Sequence, residues 1–292
     1  MDLFGQNSPW LPPRCCELSK PLAGDLGVLS CALSEADSLV MALDFDGTLA
    51  PIAPSPAEAA MPRPTAMAIH NLAAAENVTV AIVSGRSVAD LKTRFGPKVI
   101  CVGNHGLEMQ GRGIAFVHHR AETFRDTLAY ASWDLGALLH GVPGVWVEPK
   151  GLTATVHYRQ ASADLAGWIE AAIRMTLQPY EPYLVLQPAL KAWEIHPRTG
   201  WNKGSALSLV LDLLRSPHAP LVTAGDDVCD EDMFRAFPEA ISIRVGGDGG
   251  APTAARYHVH DPSELAEFLA LIASLRSKKR SKIETNLPRA RP

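Results

Sequence analysis

Residues 38–48 read Ser-Leu-Val-Met-Ala-Leu-Asp-Phe-Asp-Gly-Thr. After the serine comes a short apolar run, and the run ends in two aspartates and a glycine. A run of this kind, bounded by a glycine turn, is typical of a strand that is buried on both faces, as in a parallel sheet. The two carboxylates follow at the point where the strand ends. We therefore predict an α/β fold with its chemistry at the carboxyl edge of a parallel sheet.

Buried strands alternate with helices both before and after a middle section of the chain. The middle section has a different pattern. Outside the middle section, strands are predicted at 78–83, 98–102, 220–224, 240–245 and 256–259, and helices at 64–76, 203–214 and 263–275. Inside it, a helix at 121–140 precedes strand-like runs at 144–148 and 153–159, and a helix at 163–177 precedes runs at 183–187 and 191–196. Helix, strand, strand, repeated, predicts an inserted α+β (αββαββ) module with one four-stranded sheet.

These patterns divide the chain into four regions. We predict an N-terminal segment at 1–36, a core at 37–108 and 199–276, the inserted module at 109–198, and a tail at 277–292. The N-terminal segment has scattered proline and glycine and no clear period, so we expect it to be loosely attached. The tail contains Lys-Lys-Arg at 278–280 and several prolines, so we expect a basic, disordered end.

Composition narrows the class of partner. The formal net charge of −4 provides no basic field for nucleic acid or anionic lipid. The N-terminus lacks the continuous apolar region of a secretory signal, and no apolar stretch is long enough for a spanning helix. The five cysteines are an odd number without metal-ligand spacing, which favours reduced thiols. We expect a cytoplasmic monomer that acts on a small molecule and contacts neither nucleic acid nor membrane.

Polar side chains gather where the predicted core strands end. Asp44 and Asp46 follow the first strand, Ser84 follows the second, and Asp226 follows a later one. Asp44 and Asp46 are two residues apart, so both point the same way while the chain is extended. Two adjacent carboxylates repel each other unless a cation lies between them, and oxygen-only ligands favour Mg²⁺. The sequence therefore predicts a magnesium site at this edge.

Each of these motifs also has an ordinary structural interpretation. Two aspartates in a turn are often a solvated loop, and Ser84 taken alone is a helix cap. The acidic stretch at 226–232 suits the N-terminus of a helix, where the helix dipole favours negative charge. Lys203 is different, because the dipole disfavours a cation at a helix start. The order of the motifs along the chain, more than any one of them, indicates a catalytic site.

That ordered set is similar to the four motifs of the haloacid-dehalogenase phosphatase superfamily, over about residues 39–275. Further stretches resemble the trehalose-phosphatase family in particular: GNHGLE at 103–108, VEPK at 147–150, HYR at 157–159, WEIHP at 193–197 and GDDVCDEDMF at 225–234. Cys229 stands where the family is expected to have a threonine. The resemblance implies a haloacid-dehalogenase-like Rossmannoid core with a C2-type cap, formed by the inserted module.

The resemblance also implies a mechanism. Asp44 would attack phosphorus and form an aspartyl-phosphate, and Asp46 would act as general acid and then general base. Ser84 and Lys203 would hold the phosphate. Mg²⁺ would be bound by the Asp44 side chain, the Asp46 carbonyl and Asp226.

By the same resemblance, the sugar is bound by residues of the cap and of one core loop. They are Glu148, Lys150, Arg159 and Glu194 of the cap, and Asn104, His105, Gly106 and Glu108 of the core. The implied reaction is hydrolysis of trehalose 6-phosphate, the last step of trehalose biosynthesis. Alternatives are another sugar-phosphate enzyme with the same cap, such as a sucrose-phosphate phosphatase or a phosphohexomutase, and a catalytically silent sugar-phosphate sensor. A two-metal nuclease is disfavoured by the absence of a basic face.

Overall fold

The structure, a computed structural model, describes residues 18–216 and 219–286; the first part of the predicted N-terminal segment and the end of the predicted tail lie outside these residues. The described strands are β1 (Lys20–Pro21), β2 (Leu39–Leu43), β3 (Val78–Val83), β4 (Ile100–Gly103), β5 (Glu108–Gly111), β6 (Ile114–Val117), β7 (Trp146–Pro149), β8 (Ala154–His157), β9 (Leu184–Ala189), β10 (Ala192–Pro197), β11 (Leu221–Gly225), β12 (Ile241–Val245) and β13 (Tyr257–Val259). The helices are α1 (Leu22–Glu35), α2 (Arg63–Ala74), α3 (Val88–Arg94), α4 (His119–Thr123), α5 (Arg125–Leu138), α6 (Ala166–Leu177), α7 (Lys203–Leu213), α8 (Glu231–Ala236) and α9 (Pro262–Asn286).

A nine-stranded sheet forms the larger domain, in the order β1-β13-β12-β11-β2-β3-β4-β5-β6. Strands β1 to β4 and β11 to β13 pair in parallel, which confirms the predicted α/β fold. From β2 the chain continues on one side to β3 and β4, and it later returns on the other side of β2 as β11. The strand order therefore reverses between β2 and β11, where open α/β sheets form their ligand crevice.

Helices cover both faces of this sheet. On one face α1, α2, α3 and α9 pack on a large apolar cluster that includes Leu33, Leu72 and Leu269. On the other face α7 and α8 contribute Leu207 and Phe234 to a second cluster. Strands β2 and β3 are buried at every position, so they hold the catalytic edge of the sheet rigidly in place.

The inserted module has a core of its own. Strands β7, β8, β10 and β9 form an antiparallel four-stranded sheet in that order. Helices α5 and α6 pack on this sheet through a third apolar cluster, which includes Leu135, Ile173 and Ile195. We call this unit, residues 119–197, the small domain. The predicted long helix at 121–140 is interrupted at Phe124, which separates α4 from α5.

The N-terminal segment is not loosely attached where the structure describes it. Lys20 pairs with Tyr257 at the edge of the large sheet, and Lys20 N–H donates to the Arg256 carbonyl at 3.0 Å. Residues 22–35 form α1, which buries Leu22 and Leu33. Gly24 and Gly27 lie inside this helix. Glycine is a poor helix former, which is why the helical period was not visible in the sequence.

Two further segments depart from the sequence prediction. Strands β5 and β6 were placed largely in the inserted module, but they form an antiparallel hairpin that extends the large sheet from β4. The closing helix was expected to end near residue 275, and α9 instead continues to Asn286, into the region predicted to be disordered. Among the helices described, none combines the length and the apolar character that a bilayer span requires.

Candidate active site

Lys203 lies at the centre of the site, between two carboxylates. It is the first residue of α7, and its Nζ lies 2.8 Å from Asp44 Oδ1 and 2.7 Å from Asp230 Oδ1. All three side chains are almost fully buried. Burial disfavours the charged form, but the two carboxylates outweigh this effect and hold the pKa of Lys203 well above its usual value. A buried ammonium is thus fixed directly beside the predicted nucleophile.

Three carboxylates converge at this point of the sheet edge. Oxygens of Asp44, Asp226 and Asp230 all lie within 4.8 Å of one another. Burial raises the pKa of Asp44 well above its usual value, and burial with the charge of Asp230 raises that of Asp226 to about 7. The ammonium of Lys203 therefore does not neutralise the cluster. A hard divalent cation would, and an all-oxygen donor set is the one that Mg²⁺ prefers.

Two glycines allow these carboxylates to come so close. Gly47 has φ +81°, and a Cβ there would collide with the carboxylate of Asp226. A side chain at Gly225 would collide with Asp230 in the same way. Thr48 Oγ1 donates to Asp226 Oδ1 at 3.0 Å and orients it. The Asp-Gly-Thr motif after β2 and the Gly-Asp-Asp motif at the end of β11 thus pack directly against each other.

Asp46 lies at the mouth of the site and is paired with Arg86. Arg86 Nε donates to Asp46 Oδ2 at 2.6 Å, and Arg86 Nη2 donates to Asp46 Oδ1 at 2.8 Å. Arg86 also donates to Asp90 and to the Pro56 carbonyl, and its side chain is buried. The Asp46 carboxylate is therefore held in a defined direction. It points to Arg86, and it is not part of the cluster formed by Asp44, Asp226 and Asp230.

Ser84 stands at the end of β3, next to β2. It is buried, and its Oγ accepts a hydrogen bond from Arg86 N–H at 3.2 Å. It lines one cavity with Asp44 and Lys203. Ser87, three residues later, accepts from Asp90 N–H and caps α3, so the helix-cap role belongs to Ser87. The bond from Arg86 uses the Ser84 oxygen only as an acceptor, so the Ser84 O–H can still donate to a ligand in the cavity.

The predicted sugar-binding residues of the small domain line the same cavity. Glu148, Lys150, Arg159 and Glu194 all contribute to its wall, opposite Asp44. Lys150 Nζ lies 4.0 Å from oxygens of both Glu148 and Glu194. His157 joins this group, with its Nε2 2.8 Å from Glu148 Oε2. Glu148, Lys150, His157 and Glu194 thus form one network in the cavity wall, whereas Arg159 donates to the Leu190 carbonyl.

The predicted residues of the core loop at 104–108 do not all lie in the cavity wall, and some lie in the protein interior. His105 lines the cavity and contacts Glu194. Gly106 accepts from Trp201 Nε1 at 2.9 Å and so positions the start of α7. Asn104, Gly106 and Glu108 do not line the cavity. Asn104 donates to Glu108 and to the Lys150 carbonyl, and Glu108 accepts from Val88 N–H, so these two residues support the loop from beneath.

Several residues of the site were not predicted from the sequence. Arg86 and Thr48 adjoin known motifs, but their partners are distant along the chain. Asp230 was assigned to the helix start, and it does accept from Asp227 N–H, yet it also binds Lys203. His196 contacts Glu194 across one strand position. Burial raises the pKa of the Cys229 thiol well above its usual value, so the thiol stays protonated and is unreactive.

Comparison with known proteins finds the same family that the sequence motifs resemble. The model of the family described as trehalose-phosphatase matches residues 42–263. A trehalose-phosphate phosphatase of Mycobacterium ulcerans is 37% identical over 241 residues, which are 79% of this chain and 60% of the relative. One of Mycobacterium tuberculosis is 37% identical over 256 residues, 83% of this chain and 64% of the relative. The chain thus spans less than two thirds of the length of these relatives.

Solved structures show the same fold. The C-terminal domain of Candida albicans trehalose-6-phosphate phosphatase superposes with a TM-score of 0.75 at 24% identity, covering 88% of this chain and 98% of that one. A trehalose-6-phosphate phosphatase related protein superposes with a TM-score of 0.72 at 25% identity, covering 82% of this chain and 99% of the other.

Proposed function

The chain belongs to the trehalose-phosphatase family, and we propose that it hydrolyses trehalose 6-phosphate to trehalose and inorganic phosphate through an aspartyl-phosphate on Asp44. One observation carries the proposal. A single cavity has on one side the Asp44–Lys203 pair, which suits a phosphate, and on the other side Glu148, Lys150 and Glu194, which suit sugar hydroxyls. The same cavity can therefore bind both the phosphate group and the sugar of a sugar phosphate.

In the first step a carboxylate oxygen of Asp44 attacks phosphorus, and the bond from phosphorus to the sugar oxygen breaks. Lys203 orients the attacking carboxylate and balances charge on the phosphate oxygens, because its Nζ lies 2.8 Å from Asp44. Ser84 donates its hydroxyl to a further phosphate oxygen. In the second step water attacks the aspartyl-phosphate, which releases phosphate and restores Asp44.

Asp46 supplies the proton that the leaving sugar oxygen takes up, and it then accepts a proton from the attacking water. In the structure both of its oxygens are bound by Arg86. Arg86 would therefore fix the position at the mouth of the cavity from which Asp46 exchanges protons with the sugar oxygen and with water.

The residues present fit Mg²⁺. The side chains of Asp44 and Asp226 and the carbonyl of Asp46 would hold it, and Asp230 would remain the buried partner of Lys203. When bound, Mg²⁺ would neutralise charge on the phosphate and on the carboxylate cluster. The raised pKa values of Asp44 and Asp226 are in keeping with this assignment, since burial removes the solvent that would otherwise stabilise their negative charge.

The small domain would act as a cap that selects the sugar. Its charged groups are partly buried, so they lose solvation and need hydrogen-bond partners. Glu148 and Glu194 are bound by His157 and His105, but Lys150 Nζ lies 4.0 Å from both carboxylates, beyond hydrogen-bond distance. The hydroxyls of a disaccharide would provide a partner for Lys150 and further donors for the carboxylates, and a small phosphate ester would not. Selectivity would therefore come from the contacts that only the disaccharide can complete.

We also propose that the reaction completes trehalose biosynthesis in the cytoplasm; the described cysteines Cys31, Cys101 and Cys229 are free thiols, in keeping with a reducing compartment. A test of the function is phosphate release from trehalose 6-phosphate, sucrose 6-phosphate and glucose 6-phosphate, with Mg²⁺ and with a chelator. We expect trehalose 6-phosphate to give the highest kcat/KM and the chelator to abolish turnover. A preference for another sugar phosphate would overturn the substrate. Absence of turnover on all three would indicate a sensor.

A further inference from the structure

A second group of metal-ligating side chains lies where the small domain meets the large one. His105 follows β4 of the large sheet, and Glu194 and His196 lie two residues apart on β10 of the small domain. The two histidines are buried, and Glu194 is partly buried. One nitrogen of each imidazole and an oxygen of Glu194 all lie within 4.8 Å of one another. We call this group, His105, Glu194 and His196, the seam cluster.

The geometry of the seam cluster resembles a metal site that is nearly assembled. His105 Nε2 lies 3.0 Å and His196 Nε2 lies 3.2 Å from the same oxygen, Glu194 Oε2. In a tetrahedral zinc site with the usual bond lengths, neighbouring ligand atoms are about 3.4 Å apart. Both nitrogen–oxygen edges are therefore within a few tenths of an ångström of the required length. The two rings face each other, with centroids 4.6 Å apart.

We propose that the seam cluster is a binding site for a divalent transition metal of the zinc type, held by His105 Nε2, His196 Nε2 and a Glu194 oxygen. Two histidines and one glutamate are a donor set that Zn²⁺ takes in proteins, with a fourth position left for water. Imidazole nitrogen is a poor partner for Mg²⁺ and a good one for Zn²⁺ or Co²⁺. This site is thus chemically distinct from the cluster of Asp44, Asp226 and Asp230.

Binding requires only a proton shift within each ring. In the hydrogen-bonded arrangement each Nε2 carries the proton that it donates to Glu194, because an ionised carboxylate can only accept. Burial opposes ionisation of Glu194, but the two imidazoles outweigh it and hold the pKa of this carboxyl well below its usual value. When a metal binds, each ring moves its proton to Nδ1 and presents the lone pair of Nε2. No oxidant or reductant is needed, and water would take the fourth position.

A metal can reach the seam cluster from two sides. His105 and Glu194 line the cavity that contains Asp44. His105 and His196 line a second cavity of about 400 Å³ behind it, together with Arg198 and Asp232. The seam cluster thus forms part of the wall between the two cavities. The ammonium of Lys150, 4.0 Å from Glu194 Oε1, opposes a second cation, so we expect weaker binding than at a structural zinc site.

Occupation of the seam cluster would have a consequence for the enzyme. It would engage Glu194, which the proposed function assigns to the sugar, and it would join β10 of the small domain to the loop after β4. Zn²⁺ should therefore compete with the sugar phosphate and leave the Mg²⁺ requirement unchanged. This competition rests on the proposed function, whereas metal binding itself does not.

The test is a Co²⁺ titration of the full chain with saturating Mg²⁺, followed by the visible absorption of tetrahedral Co²⁺ and by displacement with Zn²⁺. We expect His196→Gln to weaken Co²⁺ binding at least tenfold, which is about 1.4 kcal/mol. Two matched variants should bind as the wild type does. Asp226→Asn alters only the carboxylate cluster, and His157→Gln removes a histidine of the same small domain that lies outside the seam cluster.

Two results would overturn the proposal. One is equal Co²⁺ affinity in His196→Gln and the wild type, and the other is loss of the absorption in Asp226→Asn, which would place the metal at the carboxylates. A measurement on the wild type avoids any folding defect of the variants. X-ray absorption of the Zn²⁺ complex should show two imidazoles in the metal's coordination shell, and a shell without imidazole would refute the assignment. Each of these outcomes is independent of whether trehalose 6-phosphate is hydrolysed.

Discussion

The guanidinium of Arg86 binds both carboxylate oxygens of Asp46, with Nε 2.6 Å from Oδ2 and Nη2 2.8 Å from Oδ1. Arg86 is itself fixed by Asp90 and by the Pro56 carbonyl, and its side chain is only 7% exposed. A general acid is effective only when it is held in the right direction. We therefore propose that Arg86 positions Asp46 for its proposed part in proton transfer.

Arg86→Gln should therefore lower kcat for trehalose 6-phosphate by roughly ten- to a hundredfold, with a smaller change in KM. The matched control is Arg94→Gln. Arg94 also pairs with Asp90 and also lies over the Phe45 ring, but its other hydrogen bond in the described part of the chain goes to the Ala59 carbonyl and not to Asp46. Steady-state kinetics of both variants across pH measure whether the loss of kcat depends on the contact with Asp46. Thermal unfolding checks that both variants are folded. If Arg94→Gln loses as much kcat as Arg86→Gln, Arg86 acts through the local fold and not through Asp46.

The parts of this site that the sequence predicts are those carried by buried strands. The apolar runs of β2, β3 and β11 indicate which residues end at the catalytic edge, and Asp44, Ser84 and Asp226 lie there in the structure. Local pattern is sufficient here because every side chain of β2 and β3 is buried.

Contacts between distant segments leave no such pattern. Arg86 meets Asp46 from 40 residues away, and His105 meets Glu194 from 89 residues away. A short edge hairpin such as β5–β6 is only partly buried and reads equally well as part of either domain. The contact of Asp230 with Lys203 is not predictable for another reason. An aspartate is common at a helix start, so the sequence gives no sign that Asp230 has a second partner. The cytoplasmic location and the monomeric state stay predictions.

Asp44→Asn tests the nucleophile. The amide keeps the size of the side chain but removes the attacking charge, so kcat should fall by at least about 10³-fold. Folding should be preserved, because Lys203 keeps its partner Asp230 at 2.7 Å. Circular dichroism and thermal unfolding check the fold, and single-turnover phosphate release checks the chemistry. Turnover within tenfold of the wild type would rule out the covalent role.

Asp226→Asn tests the magnesium site. Asp226 belongs to the buried carboxylate cluster and is oriented by Thr48, so its loss should abolish Mg²⁺-dependent turnover. Asp232→Asn is the matched control, because Asp232 lies in the first turn of α8, 4.0 Å from Arg235, and is not part of the carboxylate cluster. Mg²⁺ titrations of activity should show a lost response in the first variant and a wild-type response in the second. Equal losses would mean that the acidic stretch acts as a whole and that Asp226 has no special part.

Glu194→Gln tests whether the small domain reads the sugar. In the proposed mechanism Asp44 and Mg²⁺ would act on any phosphate monoester, so selectivity would have to come from groups that reach the distal part of the ligand. Glu194 is one of these groups, and its carboxylate is held by His105 and lies 4.0 Å from Lys150. The amide preserves shape but loses the charge that strengthens a hydrogen bond to a sugar hydroxyl. We expect kcat/KM for trehalose 6-phosphate to fall by roughly 10- to 100-fold, or about 1.4–2.7 kcal/mol.

The comparison of two substrates makes this result specific. Turnover of p-nitrophenyl phosphate, which has no sugar, should change less than about threefold in Glu194→Gln, because remote contacts contribute to catalysis only when the substrate can make them. Glu170→Gln is the control for a glutamate of the same domain. Glu170 lies on α6, its side chain is 41% exposed and it pairs with Arg174, so its replacement should leave both substrates unaffected. If Glu194→Gln lowers turnover of both substrates equally, Glu194 supports the fold or the core chemistry, and the sugar is read by other residues of the cavity.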